Sequence, residues 1–148
     1  MPLDPSFAGR SYPPTASYQV GREKIREFAT AIGAADDLHH DPEAARAAGY
    51  ADVVAPPTFA VVITMAANRQ IVDDPELGVD YRRVVHGDQR FEYTRPIVAG
   101  DELVSTNTIE EIRSRGGHDF LTMRTDVASA SGDLVVTAWS KLVVRGEG

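Results

Sequence analysis

The clearest periodic pattern in the sequence lies in residues 22–32. Among charged residues there, an apolar set recurs at the spacing i, i+3, i+4 and i+7: Ile25, Phe28, Ala29 and Ile32. This spacing predicts an amphipathic helix, and the following Gly33 is typical of a helix end. A second, short helix is predicted to begin at Pro42, because Asp41 can cap it and Gly49 can end it.

The segments around these helices are predicted to be irregular or extended. Four prolines fall within residues 1–16, which predicts an irregular lead-in before a short strand at residues 18–20. The polar residues 34–40 are predicted to form a loop. Residues 53–57 are predicted to be extended, because the residue before a proline avoids the α region.

Residues 58–71 form a nearly continuous apolar run. The length of this run fits a helix, whereas its β-branched residues 61–64 favour a strand, and periodicity alone does not decide between the two. If the run is a helix, we predict that it is buried on most sides rather than amphipathic.

Four strand-like runs make up the second half of the chain: residues 84–93, 102–113, 118–127 and 134–144. Alternation in the third run places one set on one face, Leu121, Met123, Thr125 and Val127, and another on the opposite face, Thr122, Arg124 and Asp126. In the fourth run the shared face is predicted to carry Leu134, Val136, Ala138, Leu142 and Val144. Glycine-containing turns separate the runs, which predicts an antiparallel meander.

Together these elements predict an α+β fold, with helices first, a central helix at residues 58–71, and a sheet of hairpins packed on it. The length of 148 residues fits one domain, predicted to span residues 1–148. Hydrophobic residues make up 43% of the chain and charged residues 25%, which argues against disorder.

Composition and absent motifs exclude several functions. Without cysteine there is no disulfide, cysteine-ligated metal centre or thiol nucleophile. The net charge of −7 argues against nucleic-acid binding. The sequence has no glycine-rich phosphate loop, G-x-S-x-G turn or H-E-x-x-H motif. It also has no apolar run long enough to cross a membrane and no signal peptide at its start, so we expect a cytoplasmic protein.

Several short motifs, taken together, resemble one enzyme family. They are Leu38-His39-His40-Asp41-Pro42, Ala55-Pro56-Pro57-Thr58-Phe59, His86-Gly87-Asp88-Gln89 and Arg95-Pro96-Ile97-Val98-Ala99-Gly100-Asp101, with residues 21–29 before them. On these, nearly the whole chain resembles the MaoC-like hydratase/dehydratase family, whose members act on (3R)-3-hydroxyacyl thioesters. The resemblance is closer to the small subunits of (3R)-hydroxyacyl-ACP dehydratases, of the FAS1-like or MaoC N-terminal-like type.

The resemblance implies a single hot-dog domain, in which a five- or six-stranded antiparallel sheet wraps the helix at residues 58–71. It further implies a homodimer, or a heterodimer with a related hydratase subunit, and an acyl channel at the dimer interface. The implied ligand is an acyl-CoA or acyl-ACP thioester, and no cofactor or metal is expected.

The family's catalytic residues carry over only in part. Its members eliminate water with an Asp and a His five residues apart, and a backbone N–H at the start of the central helix stabilises the enolate oxygen. By position, His39 matches the catalytic His, but Ala34 stands at the Asp position. The N–H position falls on Pro56, and neither it nor Pro57 has an N–H. Asp36 either replaces the missing carboxylate through a small loop shift or only caps a turn.

The resemblance also suggests substrate-binding positions: Pro57, Thr58, Phe59, Val62 and His86. Simpler interpretations stay open. His39 can be an ordinary loop residue, the apolar run at residues 58–71 can be part of the core alone, and His86 can simply lie where a strand begins. The adjacent His39 and His40 do not predict a metal site, because neighbouring side chains point apart. Trp139 fits packing or an interface. The cations of the first helix fit either a carrier contact or a solvated face: Arg22, Lys24 and Arg26.

Two functions therefore compete. The first is a non-catalytic subunit that binds the acyl chain and supports a sister subunit with the intact Asp/His pair, which Ala34 and Pro56 favour. The second is a self-sufficient (3R)-hydroxyacyl dehydratase or enoyl hydratase that uses His39 and Asp36. A hot-dog thioesterase is disfavoured, because residues 58–65 contain no Asp or Glu.

Overall fold

The structure, a computed structural model, describes residues 2–147. The helices come first along the chain, as predicted: α1 (Arg22–Ala31), α2 (Pro42–Ala47), α3 (Ala60–Ala67) and α4 (Arg69–Val72). Asp41 caps α2 through a bond from the N–H of Glu43, and α1 buries Ile25 and Ala29. No helix in this part of the chain is long and apolar enough to cross a membrane.

One short strand precedes α1 and four strands follow the helices, and the five form one antiparallel sheet. They are β1 (Tyr18–Gln19), β2 (Val84–Tyr93), β3 (Glu102–Arg115), β4 (His118–Ser129) and β5 (Leu134–Val144). The strand order is β1-β3-β4-β5-β2, so that β3, β4 and β5 form a meander and β2 crosses to the far edge. The sheet packs on α3, which confirms the α+β prediction and the hot-dog architecture.

The predicted alternation holds in β4 and only in part in β5. The four inward residues of β4 are buried, as the pattern requires. In β5 the predicted face is buried from Val136 onward, but Leu134 is 45% exposed because it lies at the turn, where the sheet ends. Val135 and Thr137 are buried as well, so the first half of β5 is covered on both faces.

Residues 58–71 are helical rather than extended, with a break at Asn68 between α3 and α4. A 3-10 turn, Pro57–Phe59, leads into α3. The prediction of burial on most sides needs correction, because Met65 is 46% exposed and Ala66 and Arg69 are also exposed. The helix packs mainly on β3, β4 and β5, which leaves the side towards β2 uncovered.

A buried polar network joins the break in the helix to the sheet. The side-chain amide of Asn107 donates to Ala67 O at 2.8 Å and to Gln70 Oε1 at 2.7 Å. The Thr125 hydroxyl lies 2.9 Å from Asn68 Oδ1 and 2.8 Å from Asn107 Oδ1. The carbonyl at the end of α3 is therefore satisfied by the sheet.

The two edges of the sheet differ. The predicted irregular lead-in lies along β3, where Tyr12 N–H donates to Asn107 O and Thr15 N–H donates to Ser105 O, both at 2.9 Å. It covers the β3 edge up to β1. Within the described residues, no strand pairs with the outer edge of β2. The sheet thus has one covered edge and one open edge.

Candidate functional site

An open cleft of about 460 Å³ lies where the loop after α1 meets the end of β2. Its walls combine this loop, the extended segment before α3 and the strand end: His39, Val54, Ala55, Pro57, Tyr93, Thr94, Arg95 and Pro96. Most of the lining is apolar, and His39 is the only imidazole in it. Such a cleft suits an apolar chain that ends in a few polar groups.

His39 is fixed in the cleft by two contacts. It closes a 3-10 turn, Asp37–His39, and its Nδ1 lies 2.6 Å from Val54 O. A carbonyl oxygen only accepts, so Nδ1 carries the proton and Nε2 of the neutral ring has a free lone pair. Among the hydrogen bonds of residues 2–147, none involves His39 Nε2. This nitrogen is therefore available to a ligand.

His40 serves a different purpose from its neighbour. Its Nε2 lies 2.8 Å from Ala34 O, and its own carbonyl accepts a 2.9 Å bond from Arg26 Nε. The two imidazole rings are 6.5 Å apart and nearly perpendicular. No group of three His, Asp or Glu side chains in the described residues is placed to hold a metal ion. His40 holds the loop against α1.

The cleft contains no carboxylate among its lining residues. Asp36 caps the 3-10 turn, since its Oδ1 accepts the N–H of Leu38 at 2.9 Å, and its side chain is exposed. Ala34, at the position of the family's Asp, contributes only its carbonyl to His40. The structure therefore places an imidazole in the cleft without an acidic partner beside it.

The start of the central helix forms the opposite wall. Pro56 stands at the N-cap and Pro57 opens the 3-10 turn, so Thr58 carries the first backbone N–H of this helical segment. Within the described chain, no acceptor bonds that N–H. The hydroxyl of Tyr93 donates to Pro57 O and so ties the helix start to β2. Burial raises the pKa of Tyr93 to about 12, opposed by a contact with Ala60 N–H.

Arg95 and Asp101 brace the mouth of the cleft. Arg95 Nη1 and Nη2 contact the two Asp101 oxygens at 2.9 and 3.1 Å, and this hydrogen bonding raises the pKa of Arg95. Sequence reasoning did not select Tyr93 or Arg95 as site residues. Arg95 and Asp101 belong to the motif at residues 95–101, which could have indicated a site. Tyr93 gave no such indication, because tyrosine is common in strands.

The remaining residues predicted to bind substrate lie outside the cleft. Phe59 is fully buried and meets Phe28 edge to face, with ring centroids 5.5 Å apart. Thr58 is exposed and Val62 half-buried, and neither lines the cleft. His86 lines a separate, narrow gap between β2 and the central helix. The structure therefore brings together His39 and Pro57 but not the other four, whose substrate contacts stay predictions.

A family model decides the identity of the chain. The model of the FAS1-like dehydratase domain region matches residues 6–138. This chain belongs to that family. As a FAS1-like dehydratase domain, it has close relatives among bacterial proteins. A "UPF0336 protein" of Saccharopolyspora erythraea is 59% identical over 99% of this chain and 94% of its own length. Another, of Streptomyces avermitilis, is 60% identical over 98% of this chain and 97% of its own.

Solved structures agree with this assignment. A MaoC-like dehydratase superposes with a TM-score of 0.88 at 35% identity, over 95% of this chain. The FAS1-like domain spans only 43% of that dehydratase's length. The C-terminally truncated HadBC complex, a (3R)-hydroxyacyl-ACP dehydratase of Mycobacterium tuberculosis, superposes with a TM-score of 0.83 at 31% identity, over 93% of this chain and 96% of that one. The protein is thus a member of the MaoC-like hydratase/dehydratase family.

Proposed function

We propose that this chain is the acyl-chain-binding subunit of a (3R)-3-hydroxyacyl-thioester dehydratase, and that a sister subunit supplies the catalytic Asp/His pair. One observation carries the proposal: the cleft presents the imidazole of His39 and an apolar wall, but no carboxylate lines it. The site has the means to bind an acyl thioester and only half of the groups needed to dehydrate it.

The chemistry of dehydration explains why an imidazole without a carboxylate is insufficient. Removal of water across C2–C3 requires a base to take the C2 proton and an acid to protonate the departing hydroxyl. His39 can hold or accept one proton at Nε2, because Nδ1 is engaged by Val54 O. The imidazolium that would result has only a carbonyl dipole beside it, and a dipole stabilises a cation less than a carboxylate does.

Similar proteins support a division of labour. The HadBC structure is a complex, and this chain matches one of its chains over nearly the full length. The match to a MaoC-like dehydratase leaves more than half of that longer chain unmatched, which gives room for a second domain. We infer that the active form of this protein is a heterodimer with a related subunit that contains the intact loop.

The alternative, a self-sufficient enzyme, has one observation in its favour. His39 is already in the tautomer that leaves Nε2 free, and Asp36 lies in the same loop, three residues before it. For Asp36 to act, it would have to release the N–H of Leu38, which it caps.

The deciding experiment compares hydration of crotonyl-CoA by the chain alone and by the chain with a related subunit that carries an intact D-x-N-P-x-H loop. We expect the chain alone to be about 10²–10⁴-fold slower than the pair. His39→Ala should weaken binding of a 3-hydroxyacyl thioester, while His118→Ala, far from the cleft at the start of β4, serves as the control and should not. Robust turnover by the chain alone would overturn the proposal. Loss of that turnover in Asp36→Ala, but not in Asp37→Ala, would establish the alternative.

A further inference from the structure

The direction of the backbone groups of β2 follows from its pairing with β5. Thr94 N–H donates to Val135 O at 2.8 Å, just past the last paired residues of the two strands. In an antiparallel ladder such bonded pairs alternate with unbonded ones, so Gln89, Phe91 and Tyr93 turn their N–H and C=O groups away from β5. These groups point to the outer edge, with which no strand in the described part of the chain pairs.

Two features limit the length over which this outer edge can pair. At one end, the register with β5 shifts between His86 and Asp88, a bulge that interrupts the alternation. The Asp88 carboxylate there also accepts the N–H of Gln89 at 2.9 Å, in an exposed contact that a second strand would have to replace. At the other end the chain bends at Thr94, just after the strand ends. Regular pairing is therefore confined to residues 88–94.

Charged side chains alternate with uncharged ones along this part of β2. Asp88, Arg90 and Glu92 project from the outer face of the sheet, while Phe91 and Tyr93 pack against the core on the inner face. In an antiparallel pair the side chains of opposite residues interact, and like charges directly opposite are destabilising. A second copy of the chain has the same alternation, so its register decides which charges meet.

One register avoids both the like charges and the bulge. Two identical strands pair around a two-fold axis that passes beside one residue of each. With the axis at Arg90 or Glu92, that side chain would face the same charge in the second copy. An axis nearer either end would bring the bulge or the bend into the ladder. With the axis at Phe91, Arg90 faces Glu92 of the second copy on both sides of the axis, and the ladder runs without interruption over residues 89–93.

The register centred on Phe91 brings the second copy to the cleft. Gln89 of the second copy then lies opposite Tyr93, and Asp88 of the second copy lies opposite Thr94. Tyr93 and Thr94 both line the cleft. The end of β2 that is far from the cleft in its own chain therefore lies beside the cleft of the other copy.

Two side chains in that part of β2 have polar groups to offer. His86 pairs with the buried Leu142, so it lies on the inner face, as Gln89 does. Both side chains are exposed, and in the described part of the chain no hydrogen bond involves the His86 ring or Gln89 Oε1. Beyond the bulge, His86 of the second copy would come beside Arg95 at the mouth of the cleft. These groups would join His39, whose Nε2 is available to a ligand.

We propose that a second copy of this chain pairs along the outer edge of β2 with the two-fold axis at Phe91, and that His86 and Gln89 of each copy complete the cleft of the other. They would contact the polar end of a bound acyl thioester. The identity of that ligand rests on the proposed function, whereas the register does not. A related subunit in place of the second copy would receive the same two side chains beside its own cleft, which gives the motif at residues 86–89 a role.

Single cysteines test the register directly, because the chain has no cysteine of its own. Opposite residues have Cα atoms about 5.5 Å apart, within reach of a disulfide. We expect Phe91→Cys to give a disulfide-linked dimer after mild oxidation with diamide, seen as twice the chain mass on a non-reducing gel. In the matched control, Arg90→Cys, the two Cα atoms would be about 8 Å apart, too far for a disulfide, so it should stay a single chain.

A mixture of two variants tests the same register at exposed positions, where folding is not at risk. Asp88→Cys chains mixed with Thr94→Cys chains should form linked pairs, and neither variant should link alone. Linkage through Arg90→Cys, or no linkage in either experiment, would overturn the register.

Ligand binding tests the completion of the cleft. Isothermal titration calorimetry measures the Kd of (3R)-3-hydroxyoctanoyl-CoA for the full chain. We expect the double variant His86→Ala/Gln89→Ala, with its dimer mass retained, to bind about tenfold more weakly, because it loses hydrogen bonds to the ligand. The control His118→Ala also removes an exposed imidazole, and it should change the Kd less than about twofold.

The outcomes separate this inference from the proposed function. An unchanged Kd in the double variant would overturn the completion of the cleft, even where the disulfides form. If the unaltered chain binds no thioester, the proposed function and the ligand contact of His86 and Gln89 both fail. The register would still stand or fall by the disulfides alone, since their formation needs no ligand.

Discussion

At the scale of single residues, backbone carbonyl oxygens hold the two imidazole rings of the loop after α1. Val54 O sets the tautomer of His39, and Ala34 O holds His40. Ala34 therefore keeps the shape of the loop through its carbonyl while it lacks a carboxylate. Both imidazoles of the loop are therefore held by backbone carbonyls and need no carboxylate to fix their positions.

Tyr93 leads to a prediction about stability at high pH. Burial raises its pKa to about 12 in the folded chain, whereas the unfolded side chain ionises near its ordinary value of 10.0. Between these values the unfolded state binds fewer protons, so the free energy of unfolding falls as pH rises from about 10 towards 12. We expect Tyr93→Phe to show a shallower fall in urea unfolding between about pH 9 and about pH 11.

A control separates this effect from a general response to alkali. Tyr12 also has a pKa raised to about 12, mainly by burial, so some fall should persist in Tyr93→Phe. Tyr81, which is 48% exposed, provides the matched control Tyr81→Phe, which should behave like the unaltered chain. Equal slopes for all three proteins would contradict the assigned role of Tyr93.

At the scale of elements, the central helix is held at both ends by the sheet. Tyr93 bonds its first turn, and the network around Asn107 bonds the last carbonyl of α3. The break at Asn68 frees that carbonyl from the helix ladder, and the side chain of Asn107 replaces the lost helical donor. The central helix is therefore fixed by contacts with two different strands, β2 at the start that faces His39 and β3 at the end of α3.

Asn107 leads to the second prediction. Asn107→Leu has a similar volume but leaves Ala67 O and Gln70 Oε1 without the amide that donates to them, so we expect a loss of about 2–4 kcal/mol in the free energy of unfolding. Thr108→Val, the next position on the outer face of β3, removes only an exposed bond to Ser11. It should change stability by less than about 0.5 kcal/mol. Similar losses in the two variants would show that the network is not stabilising.

At the scale of the whole molecule, the unequal sheet edges determine where a partner can bind. The lead-in occupies the β3 edge, whereas no strand among residues 2–147 pairs with the outer edge of β2, which lies beside the exposed side of the central helix. Met65 and His86 line the gap between them. A second hot-dog subunit would cover both the strand edge and the helix side, and open edges are rarely left bare.

The third prediction concerns assembly. In the absence of a related subunit, we expect the same surface to pair with a second copy of this chain. Light scattering at micromolar concentration should then give twice the mass of one chain, and Met65→Glu should reduce it to one chain by placing a charge in the apolar contact. Ile32, the C-cap of α1, is 51% exposed and supplies the matched control, Ile32→Glu, which should leave the mass unchanged. A single-chain mass for the unaltered protein, or dissociation by both glutamates alike, would contradict this assignment of the interface.

The sequence by itself determined the elements and the fold. Periodicity in residues 22–32 predicted α1, of whose apolar face Ile25 and Ala29 are buried while Ile32, just past the helix end, is exposed. The turn glycines separated four strands, two of which have the predicted bounds. The resemblance to the dehydratase family selected His39 and Pro57, which the structure brings into one cleft, and its prediction that Ala34 stands at the position of a catalytic acid stays a prediction. The helices and strands depend on spacing along the chain and on the turn residues, both of which are local properties, whereas the site residues came from the family resemblance.

Only the tertiary structure decided which residues that are distant in the sequence are in contact. His39 meets Val54 15 residues away, Tyr93 meets Pro57 across 36 residues, and Asn107 meets Ala67 across 40. It also separated His86 from the cleft and left one side of the central helix exposed. Packing decides these contacts, because a side chain bonds or packs against the groups that the folded backbone places beside it. The spacing of residues along the sequence does not specify which groups these are.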